Sequence, residues 1–154
     1  MYWNEKIQIM QNRYNSIEFK DPFYNGALII NKIYEKFHNV KHFHQIEDKE
    51  NSVINKNIIK ECSINIFYKN ELEKLKQIFD YYLLLIDIPM DSGEKVYHCH
   101  KDALRYLLYL SSGLEKQRFY ILDKKYNWLN YFVRDNDTDT VKIYKYGNAN
   151  TIFD

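Results

Sequence analysis

The stretch from Tyr82 to Ile88 is apolar throughout except for Asp87 near its end, and it constrains this chain more than any other feature. A strand with no polar face must be covered on both sides, so it belongs inside a sheet with neighbours and packing layers around it. Pro89-Met90-Asp91-Ser92-Gly93 follows, where Pro and Gly stop a strand and turn the chain, and Lys95 to His100 reads as the returning strand. Asp102 to Leu114 places Leu104, Leu107, Leu108 and Leu110 at helical intervals and ends at Ser111-Ser112-Gly113. Arg118 to Asp123 and Tyr126 to Arg134 then read as strands. A polar turn, Asp135-Asn136-Asp137-Thr138-Asp139, leads into a last strand, Val141 to Tyr146. The C-terminal half is therefore a strand–strand–helix–strand–strand–strand run. The expected class is α+β, a mostly antiparallel sheet with helices packed on one face, in a single domain spanning residues 1–154.

The N-terminal half is less sharply patterned. Trp3, Ile7, Met10 and Tyr14 recur at helical spacing. Ser16 to Lys20 reads as a connector. Asp21-Pro22 reads as the start of a second helix, with Asp as the cap and Pro in the first turn, carrying Phe23, Ala27, Ile30, Tyr34 and Phe37 on one face. Val40 to Ile46 alternates as a strand would, and Glu47 to Asn57 is a polar loop. A strand is expected around Glu61 to Phe67, then a short helix capped by Asn70 with Glu73 and bearing Leu72, Leu75, Ile78 and Phe79.

The chain has 154 residues, a size that suits one core better than two. Fifteen of the residues are Tyr, an amphipathic ring that can seal a core or line a surface. Basic and acidic residues nearly balance, 22 against 21. A nucleic-acid binder draws much of its affinity from neutralised phosphates, so this balance argues against that class of partner. Two cysteines, Cys62 and Cys99, make no disulfide framework. No signal-peptide pattern opens the chain, and the apolar run Tyr81 to Ile86 is too short for a membrane span. A cytoplasmic location and no membrane partner are expected.

Several residue sets could carry chemistry. His42 and His44 would share one side of a strand, as would His98 and His100, and two such pairs on neighbouring strands could supply four nitrogens to zinc. Their spacing matches no standard zinc motif, and Cys99 would point away from its flanking histidines. Asp87, Asp91, Glu94 and Asp102 gather near one hairpin, a pattern a solvated rim also produces. The turn at Asp135, Asp137 and Asp139 resembles the opening of a calcium loop, but Thr140 stands where that loop needs Gly and Tyr146 where it needs Glu. Basic and aromatic residues interleave at Lys124-Lys125-Tyr126-Asn127-Trp128 and at Lys142-Ile143-Tyr144-Lys145-Tyr146. Strands with core-facing rings and outward lysines explain this pattern better than a nucleic-acid platform. No catalytic residue, cofactor or metal follows from any of these sets, and a non-enzyme is expected.

The segment Phe119-Tyr120-Ile121-Leu122-Asp123-Lys124-Lys125-Tyr126-Asn127-Trp128-Leu129 resembles the hallmark of an uncharacterised family of small bacterial proteins. Its members carry Phe/Tyr-Tyr-Ile/Leu-x-x-Lys-Lys-Tyr-x-Trp-Leu near the C-terminus and often occur in sets resembling polymorphic-toxin immunity genes. The preceding order, an apolar strand, a short aromatic strand and a helix, is also similar. Family members continue with Cys-x-x-His-His-Asp, whereas this chain has Asn130 to Asp137, so no histidine role carries over. The motif reads as a fold signature, with Tyr120 and Trp128 spaced to pack across a hairpin. The resemblance implies an immunity-like protein that binds a cognate protein toxin and occludes it. For such a role the acidic residues Asp87, Asp91 and Glu94, with Asp135, Asp137 and Asp139, are the expected partner-binding set, because toxins that attack nucleic acids have basic sites. The alternative is a metal-binding protein or metal-dependent enzyme using His42, His44, His98 and His100.

Overall fold

Among the described residues, seven strands hydrogen-bond into one antiparallel sheet: β1 (Phe19–Pro22), β2 (Ile58–Ser63), β3 (Asp80–Leu85), β4 (Lys95–His100), β5 (Lys116–Leu122), β6 (Leu129–Asp135) and β7 (Thr140–Tyr146). Their order across the sheet is β1-β4-β3-β5-β6-β7-β2. The computed structural model describes residues 5, 8, 9, 12, 19–22, 26–37, 58–78, 80–85, 95–100, 104, 105, 108, 116–147 and 149–154. The expected class, α+β with an antiparallel sheet, is the observed one.

The apolar run takes the position its composition demands. β3 lies between β4 and β5, pairing Leu83 with Tyr97 on one side and with Ile121 on the other. Leu83 and Leu84 are both buried and belong to different cores, one on each face. Strand alternation carries this division across the sheet. Tyr81, Leu83, Phe119, Ile121, Phe132, Val141 and Ile143 build the first core. Leu84, Tyr120, Leu122, Leu129, Tyr131, Val133, Tyr144 and Tyr146 build the second.

Each core has its own cover, so the described helices are shared between the two faces rather than gathered on one. Over the second core lies α1 (Gly26–Lys36), which buries Ile29, Ile33 and, just beyond its end, Phe37. Over the first lies a helical run at 64–77, joined by Leu104, Leu108 and Phe153. A sheet with an apolar face on either side needs two covers, and one helical layer would leave half of these rings in water.

The N-terminal expectations need most correction. Asp21-Pro22 does not open a helix, and the expected connector Ser16 to Lys20 already enters β1 at Phe19. β1 is an edge strand with an irregular register against β4, and an edge or strand end is where Pro, lacking an N–H, is tolerated. Of the expected stripe, Phe37 is buried and Tyr34 half-buried, while the side chains of Phe23, Ala27 and Ile30 lie outside the described ones; Ile29 and Ile33 are buried beside them, and Leu28 is 65% exposed. Glu5, Gln8, Ile9 and Asn12 are helical, in line with the first expected helix.

The strand expected at Glu61 to Phe67 instead runs Ile58–Ser63, and helix begins at Ile64. Ser63 is the cap, in place of Asn70: its backbone is extended, and its Oγ accepts from the Ile66 N–H at 3.2 Å. A single α turn, Ile64–Ile66, widens into π-helix at Phe67–Glu71 and tightens to 3-10 helix at Leu72–Gln77. Phe67, Glu71, Leu72 and Leu75 fall on its buried side, a helical spacing that overrides the alternating isoleucines before it. The strand expected from Tyr126 begins at Leu129. The strand at Val40 to Ile46 and the loop at Glu47 to Asn57 lie outside the described residues, as does the turn at Pro89 to Gly93. Of the helix at Asp102 to Leu114, Leu104, Arg105 and Leu108 are described and helical.

Tyr120 and Trp128 do not pack on each other across the β5–β6 hairpin. Tyr120 stacks on Tyr131 in the second core, while Trp128 meets Phe153 edge-on in the first. The chain passes from one face to the other between them.

Candidate functional site

The β6–β7 turn holds the acidic residues singled out in the sequence. Asp135 pairs with Thr140 at its base. The Asp135 carboxylate accepts from the Asp137 N–H at 2.9 Å and the Thr138 N–H at 3.4 Å, and the hydroxyls of Thr138 and Thr140 lie 2.7 Å apart. Asp139 closes the turn at φ +52°, a left-handed conformation that Asp tolerates better than most residues. Asp135 thus spends its carboxylate on shaping the loop, whereas Asp137 and Asp139 stand exposed. The tip is a pre-shaped acidic projection on a rigid hairpin. Asp87, Asp91, Glu94 and Asp102 lie outside the described residues.

The opposite end of β6, about 20 Å away for a strand of this length, carries the Lys-Lys-Tyr stretch. The Asp123 N–H donates to the Trp128 carbonyl at 3.1 Å, the Tyr126 N–H to the Asp123 carbonyl at 2.8 Å, and the Asn127 N–H to Asp123 Oδ2 at 3.2 Å. This lacing holds Tyr126 at φ +61°, an unusual place for so bulky a residue. Its ring is half-buried beside Tyr82, centroids 6.5 Å apart. Lys32 of α1 sits over the Tyr126 ring at 4.5 Å, and Lys124 sits over the Tyr82 ring at 5.4 Å. The sequence pointed to Lys124, Lys125 and Tyr126. It carried no sign of Lys32 or Tyr82, which come from α1 and β3 and meet the turn only because both elements border the second core.

This is not a stacking platform of the kind weighed for nucleic acid. Trp128, Tyr144 and Tyr146 are buried in the cores, and Lys145 pairs with Asp154 at 2.9 Å. Lys142 lies on the strand surface opposite Glu61.

Polar groups also enter the interior. Arg134, 6% exposed, donates through one terminal nitrogen to Gln117 Oε1 at 3.0 Å, the Tyr68 hydroxyl at 3.2 Å and the Leu108 carbonyl at 3.4 Å. Its guanidinium also faces the Tyr68 ring. Burial pushes the Tyr68 hydroxyl pKa up, against the pull of Arg134 and Arg105. Arg105 in turn ties the Tyr68 carbonyl to Glu73. These contacts clamp the helical cover onto β5 and β6. Nearer the sheet edge, Glu71 accepts from Lys60 at 2.9 Å and lies 3.0 Å from Lys74, bridging β2 to the helical run. Burial raises the pKa of the neighbouring Cys62 thiol, with the Glu71 charge adding to it, so Cys62 stays protonated and serves as apolar packing.

His98 falls opposite Tyr82 and His100 opposite Asp80, with Cys99 opposite Tyr81, so the strand expected there is observed. His42 and His44 lie outside the described residues. Among the described residues no three His, Cys, Asp or Glu side chains converge as metal ligands. None of the described helices is long and apolar enough to cross a membrane. Compared with known protein families, curated proteins and solved structures, the chain matches none.

Proposed function

We propose that this chain is a non-enzymatic protein-binding module of the immunity kind, which acts in the cytoplasm and neutralises a cognate bacterial toxin by covering its working surface. The observation that carries this reading is the acidic β6–β7 tip. Asp135 locks the loop by its own hydrogen bonds and leaves Asp137 and Asp139 exposed on a turn already in shape. A pre-shaped acidic projection loses little conformational freedom on binding and is drawn towards a basic surface, which is what a toxin that attacks nucleic acids presents. Asp87, Asp91 and Glu94 belong to the same proposal as a second acidic rim. The resemblance of the 119–129 segment to an immunity-like family points the same way.

The test is capture of the product of the adjacent gene with the purified chain, followed by titration of that pair. Asp137→Lys with Asp139→Lys should weaken binding about tenfold or more and reduce its salt dependence. Unchanged affinity removes the tip from the proposal, and failure of the neighbouring product to bind removes the toxin partner.

A further inference from the structure

We propose that Arg134 is the base of a second binding site, one that takes a small free carboxylate. The residue is 6% exposed, and its three hydrogen bonds all leave from one terminal nitrogen, Nη1, towards Gln117 Oε1, the Tyr68 hydroxyl and the Leu108 carbonyl. Each of these acceptors is neutral. Among the described residues no carboxylate lies within ion-pair distance of Arg134. Clamping the helical cover to the sheet accounts for Nη1 and leaves the other edge of the guanidinium unexplained. Nε is buried on that edge without a hydrogen-bond partner. Nη2 has no partner among the described residues either, but it is not shut off from solvent, so the edge opens at that end. A buried cation answered only by dipoles and a ring is costly, and an anion on the open edge relieves that cost.

The donor geometry selects the anion. Nε–H and one N–H of Nη2 point the same way, side by side, and match two oxygens on one atom better than a halide ion. Charge narrows the choice further. Arg105, the other arginine at Tyr68, is already bound to Glu73, so one positive charge is left to answer. A carboxylate balances it, whereas a phosphate dianion would bring an excess negative charge into a buried place. Nε is closed to a water-sized atom, so the first oxygen docks on Nη2 and the second reaches Nε as the side chains above it shift.

The probe is formate, titrated into the full chain carrying isotopically labelled arginine, with chloride withdrawn to hold the ionic strength constant. The readout is the Nε–Hε resonance of Arg134, so the test needs no substitution of Arg134 itself, whose loss would weaken the fold. A saturable shift is expected there, with the Nε–Hε resonances of Arg105 and Arg118 moving far less. Gln117→Glu places a carboxylate on Nη1 from within the fold at nearly the same size, and should weaken formate binding about tenfold or more. Circular dichroism checks that this variant is folded, and the parent titration decides the proposal by itself if it is not. The proposal is overturned if the Arg134 resonance shows no saturable shift, or if chloride moves it as formate does. It is equally overturned if folded Gln117→Glu binds formate as tightly as the parent, or if inorganic phosphate binds more tightly than formate.

Discussion

Phe119 of β5 and Phe132 of β6 are register partners whose rings stack with centroids 4.9 Å apart and planes 7° from parallel. One residue along each strand, Tyr120 and Tyr131 stack at 4.6 Å on the opposite face. The same two strands thus seat the centre of both cores. Phe132 also meets Phe67 at 5.9 Å and Phe153 edge-on at 5.0 Å, which joins the helical cover and the 151–154 segment to the sheet.

Phe132→Ala should therefore destabilise the protein by about 3–5 kcal/mol in a urea titration, the usual result of emptying a fully buried aromatic site. Leu28→Ala on the exposed side of α1 should stay within about 0.5 kcal/mol of the parent. Similar effects from the two would contradict the assignment of the core.

Arg134 should tolerate no substitute. Lysine keeps the charge, but its ammonium ends one bond short of the terminal nitrogen that makes these contacts, and methionine leaves Gln117 Oε1, the Tyr68 hydroxyl and the Leu108 carbonyl without this donor. Both Arg134→Lys and Arg134→Met should cost about 3 kcal/mol by chemical denaturation. A Lys variant as stable as the parent would show that the clamp contributes little.

Alkaline pH should weaken the fold through the buried tyrosines. Burial pushes the Tyr146 pKa from 10.0 up to about 12 and raises Tyr120 well above its ordinary value. An unfolded tyrosine loses its proton near pH 10 while these keep theirs, so their contribution is complete below pH 10 and is lost as pH climbs towards 12. For Tyr146 the loss is about 2 kcal/mol. Stability measured between pH 9 and about 12 should fall less steeply in Tyr146→Phe than in the parent.

Asp139→Gly should stabilise the β6–β7 hairpin by about 0.5–1 kcal/mol, because glycine adopts φ near +52° without a Cβ clash. Thermal melting decides it. A lower melting temperature would mean that the aspartate side chain contributes more to the turn than its backbone strain costs.

Much of the C-terminal half was readable because its signals are local. A run apolar but for Asp87 and the alternating strands after it placed β3 to β7 to within a few residues. The acidic tip was readable for the same reason, since its carboxylate, its turn and its exposed neighbours occupy consecutive positions. The 64–67 segment misled because Ile64 and Ile66 alternate like a strand, while the helical spacing of Phe67, Glu71, Leu72 and Leu75 lies further on. Ser63 as a cap was the available clue.

What chain order alone carries here is the antiparallel α+β architecture, with its buried central strand and its hairpins, because period-two alternation and turn residues act over a few positions. Which face of α1 goes inward is a different matter. Leu28 and Ile29 are both apolar, and docking over the second core took in Ile29 and Ile33 while leaving Leu28 in water. The Arg134 clamp and the meeting of Lys32 with Tyr126 belong to the same category. Each joins elements distant in the chain, and packing that brings two such elements together leaves no periodic trace in either one.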